Sequence, residues 1–119
     1  MAGDARLICD GAELADGGRG VRFEVEYFGD PVPAFVVRHE GAVRGYLNRC
    51  SHVPMELDWQ PGVFFSADRE LLICSTHGAA YAPEDGRCLG GPCDGKPLVG
   101  LRVEERDGKV YFTGFDDGG

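Results

Sequence analysis

Apolar and charged positions alternate most cleanly in Val21-Arg22-Phe23-Glu24-Val25-Glu26-Tyr27, a pattern that predicts a strand with one buried face. Gly29-Asp30-Pro31 predicts a turn leading into the apolar run Ala34-Phe35-Val36-Val37-Arg38, and Glu40-Gly41 predicts another before Val43 to Leu47. Leu71-Leu72-Ile73, bounded by charged Asp68-Arg69-Glu70, reads as a short buried strand. Near the C-terminus, Leu101 to Glu105 and Val110 to Phe112 flank Arg106-Asp107-Gly108-Lys109, and Asp107-Gly108 predicts a hairpin because glycine accepts positive φ without a Cβ clash. No segment carries a convincing amphipathic helical period. The expected fold class is all-β: small antiparallel sheets stacked together, with the chemistry on the loops between short strands.

Composition supports this reading. With 119 residues, 43% hydrophobic and 27% charged, the chain is expected to form one domain over 1–119. Its nineteen glycines and seven prolines favour short strands over long helices. The formal charge of −8 argues against nucleic acid, whose phosphates demand clustered Lys and Arg. It serves solubility, or offers a docking face to a basic protein partner. No window approaches the roughly 18–20 apolar residues that span a bilayer, so no membrane association is expected. Met1-Ala2-Gly3-Asp4-Ala5-Arg6 lacks a basic start followed by an apolar run, which predicts a cytoplasmic location with reduced thiols. Five cysteines, an odd number, also fit poorly with a fully paired disulfide framework.

Two fragments carry candidate chemistry: Cys50-Ser51-His52 and Cys74-Ser75-Thr76-His77-Gly78. Each couples a thiol with an imidazole soon after a predicted strand, and the 21 residues from Val53 through Ile73 separate His52 from Cys74. That separation lets two hairpin tips meet around one metal centre. A lone cysteine or histidine is more often a packing residue, but here two of three histidines each follow a cysteine by two or three positions. Structural zinc also takes two cysteines and two histidines, although zinc fingers group like with like, whereas each loop here mixes them. A cysteine nucleophile with a histidine base would leave the duplicated pairing unexplained.

The two fragments resemble the ligand motif of the Rieske family, Cys-x-His followed at a distance by Cys-x-x-His-Gly, matched here by Cys50, His52, Cys74, His77 and Gly78. Tyr81, Asp85-Gly86 and Gly90-Gly91-Pro92 resemble the strand, turn and proline loop that cover the cluster in that family, and Tyr46-Leu47-Asn48-Arg49 resembles the strand entering the first ligand loop. The resemblance implies one 2Fe–2S cluster, with Cys50 and Cys74 on the inner iron and His52 and His77 on the outer one. It also implies cluster-binding loops near 48–55 and 74–82 and a covering loop near 88–95, with Gly78, Ala79, Tyr81 and Pro92 around the cluster.

Two departures matter. The ligand pairs stand further apart than usual, with Asp58 to Phe65 in the extra stretch. The bridging cysteines of respiratory relatives are replaced by Met55 and Thr76, which points to the soluble ferredoxin branch. High-potential relatives place a serine and a tyrosine where this chain has Ala79 and Tyr81, so a potential below theirs is expected. The implied function is one-electron transfer from a flavin reductase to a terminal oxygenase, without catalysis by the chain itself; the alternative is a small subunit of a reductase complex of the nitrite reductase type. Of the remaining candidates, His39 is expected to be an exposed turn residue and Cys9 to pack. Trp59 is expected to pack over the inserted stretch. Cys88 and Cys93 flank Pro92 closely enough to bridge, but are expected to be free thiols in a reducing compartment.

Overall fold

The computed structural model describes residues 6–27, 29–48, 57, 63–65, 70–74, 79–84, 86–90 and 97–115. Among the described residues nine strands run in chain order: β1 Arg6–Asp10, β2 Val21–Tyr27, β3 Asp30–His39, β4 Ala42–Leu47, β5 Leu72–Ile73, β6 Ala80–Tyr81, β7 Cys88–Gly90, β8 Gly100–Arg106 and β9 Lys109–Phe115. They form a six-stranded antiparallel sheet in the order β1-β9-β8-β4-β3-β2 and a three-stranded sheet in the order β5-β6-β7. The all-β expectation holds, with one large and one small sheet.

Strand β3 shows how the sheets are layered. Val32, Ala34 and Val36 point to one face of the large sheet, where they join Val25, Leu47, Leu101, Cys9 and Val110. Phe35 and Val37 point to the other face and pack with Leu57, Phe64, Leu72, Cys74, Ala79, Tyr81 and Leu98 beneath the small sheet. A strand covered on both faces needs a continuous apolar run rather than alternation, which is why Ala34 to Val37 are all buried. The large sheet curls, so that Phe23 of β2 meets Phe112 of β9 at 6.0 Å and Tyr27 meets Phe115 at 5.2 Å.

The expected turn at Gly29-Asp30-Pro31 is shorter than the sequence suggests, because β3 already begins at Asp30 and includes Pro31 and Pro33. Pro33 directs its carbonyl toward β4, accepting from Asn48 N at 2.8 Å. Pro31 faces the same side two residues earlier, beyond the end of β4, where its missing N–H leaves no acceptor unmet. The other predicted turns form as expected. Glu40-Gly41 (φ 51 and 82) and Asp107-Gly108 (φ 54 and 77) adopt the paired positive φ of two-residue hairpins. The Asp16 carboxylate accepts from Glu40 N and Gly41 N, both at 2.9 Å, and pins the first of them.

Arg38 ties the outer elements together. Its guanidinium donates to Glu105 at 2.7 and 2.9 Å, to Leu14 O at 2.8 Å and to Gly11 O at 3.1 Å. With its side chain only 17% exposed, this is a bidentate pair rather than a loose surface contact. The hydrogen bond from Arg38 lowers the pKa of Glu105 and raises that of Arg38. Arg38→Lys, which keeps the charge but loses the fork, is expected to cost about 1–2 kcal/mol. A depressed carboxylate pKa gives stability that is present above the ordinary carboxylate range and lost as pH falls through the lowered value. The urea midpoints of wild type and variant, separated at neutral pH, should therefore converge in strong acid.

Candidate metal centre

The small sheet borders the second candidate ligand segment. Strands β5 and β6 pair Leu72 with Tyr81 and Ile73 with Ala80, and Cys74 N donates to Ala79 O at 2.9 Å to close the hairpin. Cys74 therefore stands at the end of the paired hairpin, not disulfide-bonded and wholly buried among Leu57, Leu72, Ala79 and Tyr81. The inserted stretch returns alongside this hairpin: Phe65 bridges to Leu72, Phe64 O accepts from Ile73 N at 2.8 Å, and the Phe64 ring stacks on Phe35 at 3.9 Å.

The first candidate ligand segment is bracketed by a residue that sequence reasoning treated only as part of the entering strand. Asn48, 1% exposed, follows β4, and its Oδ1 accepts from Leu57 N at 2.8 Å. One buried side chain thus joins the two ends of segment 49–56, which carries Cys50 and His52 in sequence. Leu57 lies in the same apolar cluster as Cys74, so both candidate ligand segments border a shared core. An asparagine at the end of a predicted strand, nine residues before an apolar position, was the available signal.

The Tyr46 hydroxyl donates to Pro83 O at 2.6 Å, and Leu98 N to Gly86 O at 2.9 Å, so the turn after β6 is bound to the large sheet. Gly86, at φ +76, lies so close to Tyr46 that an added Cβ would meet the ring at 2.8 Å. Glycine is required there by both conformation and space.

Of the residues predicted to form the site, Cys74, Ala79 and Tyr81 fall together in this buried cluster. Cys50, His52, His77, Gly78 and Pro92 lie outside the described residues, as do Trp59 and Cys93. Two expectations are corrected. Cys88 is disulfide-bonded rather than a free thiol, its partner lying outside the described residues; the expectation rested on an inferred compartment, not on geometry. His39 is not an exposed turn residue but the half-buried end of β3, its ring stacked on Phe65 at 6.1 Å. Cys9 packs as expected, and burial, with help from Glu13, Asp10 and Glu105, pushes its thiol up to about 11.

Two segments that each carry a cysteine and a histidine in sequence border one apolar core of an all-β fold, which is what a candidate mixed-ligand metal centre requires. A solvent-excluded thiol in an apolar shell fits a sulfur ligand to iron kept away from water, so the described part of the donor set is compatible with such a centre. The Rieske 2Fe-2S domain model matches residues 5–109, and the chain belongs to that family, whose cofactor is a Rieske-type 2Fe–2S cluster. No curated protein matches by sequence.

Similar solved structures include a chain of the complex of reduced oxygenase and oxidised ferredoxin in carbazole 1,9a-dioxygenase, with TM-score 0.71 and 24% identity over 92% of this chain and 93% of that one. The ferredoxin of carbazole 1,9a-dioxygenase from Nocardioides aromaticivorans IC177 gives 0.70 and 20%, over 92% and 97%. The Sphingomonas yanoikuyae B1 ferredoxin gives 0.70 and 23%, also over 92% and 97%. At these identities the likeness is one of fold. Among the described residues, no helix is long and apolar enough to cross a membrane.

Proposed function

We propose that the chain is a one-electron carrier without catalytic activity of its own, passing electrons in the cytoplasm from a flavin reductase to a terminal oxygenase. Its cluster is held by Cys50, His52, Cys74 and His77. The observation that carries the reading is the buried thiol of Cys74 at the end of the paired hairpin, in the same core that anchors both ends of the segment bearing Cys50 and His52. Similar folds include ferredoxins of dioxygenase systems, one of them in complex with its oxygenase.

When bound, the cluster supplies reversible uptake of a single electron. The protein's part is to hold that centre rigidly and control its surroundings. Phe35, Leu57, Phe64 and Tyr81 exclude water from the inner side, where Cys74 stands. Exclusion of water lowers the local dielectric and strengthens each hydrogen bond to sulfur. Ala79, fully buried beside Cys74, offers no hydroxyl for that purpose. Ala79→Ser is expected to raise the midpoint potential by on the order of 20–60 mV, the equivalent of one net hydrogen bond for a one-electron couple. A redox titration showing no rise would remove this account of the tuning.

The carrier role is tested by mixing the reduced protein with a Rieske oxygenase encoded beside it and following the cluster absorbance in a stopped-flow instrument. Reoxidation within a turnover of the oxygenase is expected. A cluster that stays reduced while the oxygenase accepts electrons directly from the reductase would reject the role.

A further inference from the structure

We infer that a cleft between β4, β8 and the turn after β6 is a binding site for an oxyanion, a carboxylate or a phosphate, held chiefly by Arg44. Strands β4 and β8 pair Gly45 with Leu101 and Tyr46 with Gly100, and the ladder stops there. The next positions in that register are Arg44 and Arg102, two like charges set opposite each other, an arrangement that opposes pairing. On its other side, β8 carries a bulge between Arg102 and Val103, a device that re-aims side chains.

The fork so opened is a cleft of about 300 Å³ lined by Arg44, Tyr46, Glu84, Gly100 and Arg102 among others. Arg44 Nε is withdrawn from solvent and has no hydrogen-bond partner among the described residues. Buried guanidinium donors are almost always satisfied, because desolvating one without an acceptor is costly. The ion pairs between described residues, Arg38–Glu105, Arg106–Glu104 and Lys109–Asp10, all lie elsewhere. Glu84, the one carboxylate among the described residues lining the cleft, is exposed. In a chain of formal charge −8, the described charged residues that line this cleft are Arg44, Arg102 and Glu84. A planar guanidinium fork with an unmet donor selects an oxygen anion that can accept more than one hydrogen bond.

The holoprotein is titrated with sodium phosphate at fixed ionic strength, read by calorimetry and by the shift in melting temperature. Saturable binding is expected. Arg44→Gln should weaken it by about tenfold or more, the loss of one charge-assisted hydrogen bond. Glu84→Gln, which removes the opposing carboxylate, should tighten it several-fold, and Arg22→Gln on the distant edge strand should leave it unchanged. Acetate is the second probe: competition with phosphate assigns a carboxylate ligand, and its absence assigns a phosphate. No saturable binding, or saturable binding indifferent to both Arg44→Gln and Glu84→Gln, overturns the inference in favour of water or general surface screening. Should Arg44→Gln fail to fold, Glu84→Gln decides alone: tighter binding supports the site, and unchanged or weaker binding overturns it.

Discussion

Cys74→Ser is expected to yield colourless protein, with iron and acid-labile sulfide reduced to near zero per chain. The cause is twofold. An alcohol is a poor substitute for a thiolate on iron, and the position is wholly buried, so water cannot take over as ligand. A hydroxyl is also costlier than a thiol to bury in this apolar pocket, by about 1–3 kcal/mol. Circular dichroism separates the two effects, since an intact β spectrum in metal-free protein isolates the loss of a ligand. Cys9→Ser is the control. Cys9 lies in a different core cluster, with Leu14, Val36 and Val110, and that variant should keep its full complement of iron. A Cys74→Ser protein with wild-type iron content would remove Cys74 from the ligand set.

Asn48→Leu should produce the second large effect, without touching any proposed ligand. Leucine fills a similar volume but cannot accept from Leu57 N, and that buried donor would be orphaned. A lost acceptor of this kind costs about 1–3 kcal/mol. Because the bond joins the two ends of segment 49–56, the penalty should fall on local opening of the first ligand loop before it falls on global unfolding. At about 1.4 kcal/mol per tenfold, opening becomes roughly five- to a hundredfold more frequent. The measurement is the rate of cluster loss to an iron chelator, set beside the urea midpoint. Loss at the wild-type rate, with only the midpoint lowered, would show that Asn48 supports the fold and not the loop.

The candidate ligand motif is a feature of sequence alone, because metal binding constrains identity and spacing in the chain itself: two Cys/His couples are visible without any structure. Strand β2 was equally plain, since one of its faces is packed and the other solvated, and the turns at Glu40-Gly41 and Asp107-Gly108 announced themselves through glycine chemistry. Strand β1 was missed for a definite reason. Its register jumps between Leu7 and Cys9, so Ile8 is an extra residue that breaks the period, and its partner β9 lies about a hundred positions away. The first part of β3 was hidden by Pro31 and Pro33, acceptable only because β4 ends before it would need their N–H groups.

The sequence by itself determined the β character of the chain, its main hairpins and the residues proposed to grip the metal. These depend on local conformational preference and on donor chemistry, both of which short stretches of sequence encode. Only the tertiary structure decided that β3 is buried on both faces, that Asn48 closes one ligand loop on Leu57, and that Arg44 and Arg102 face each other across an open fork. Those are relations between segments far apart in the chain, fixed by packing and by the need to satisfy buried polar groups, and no local pattern carries them.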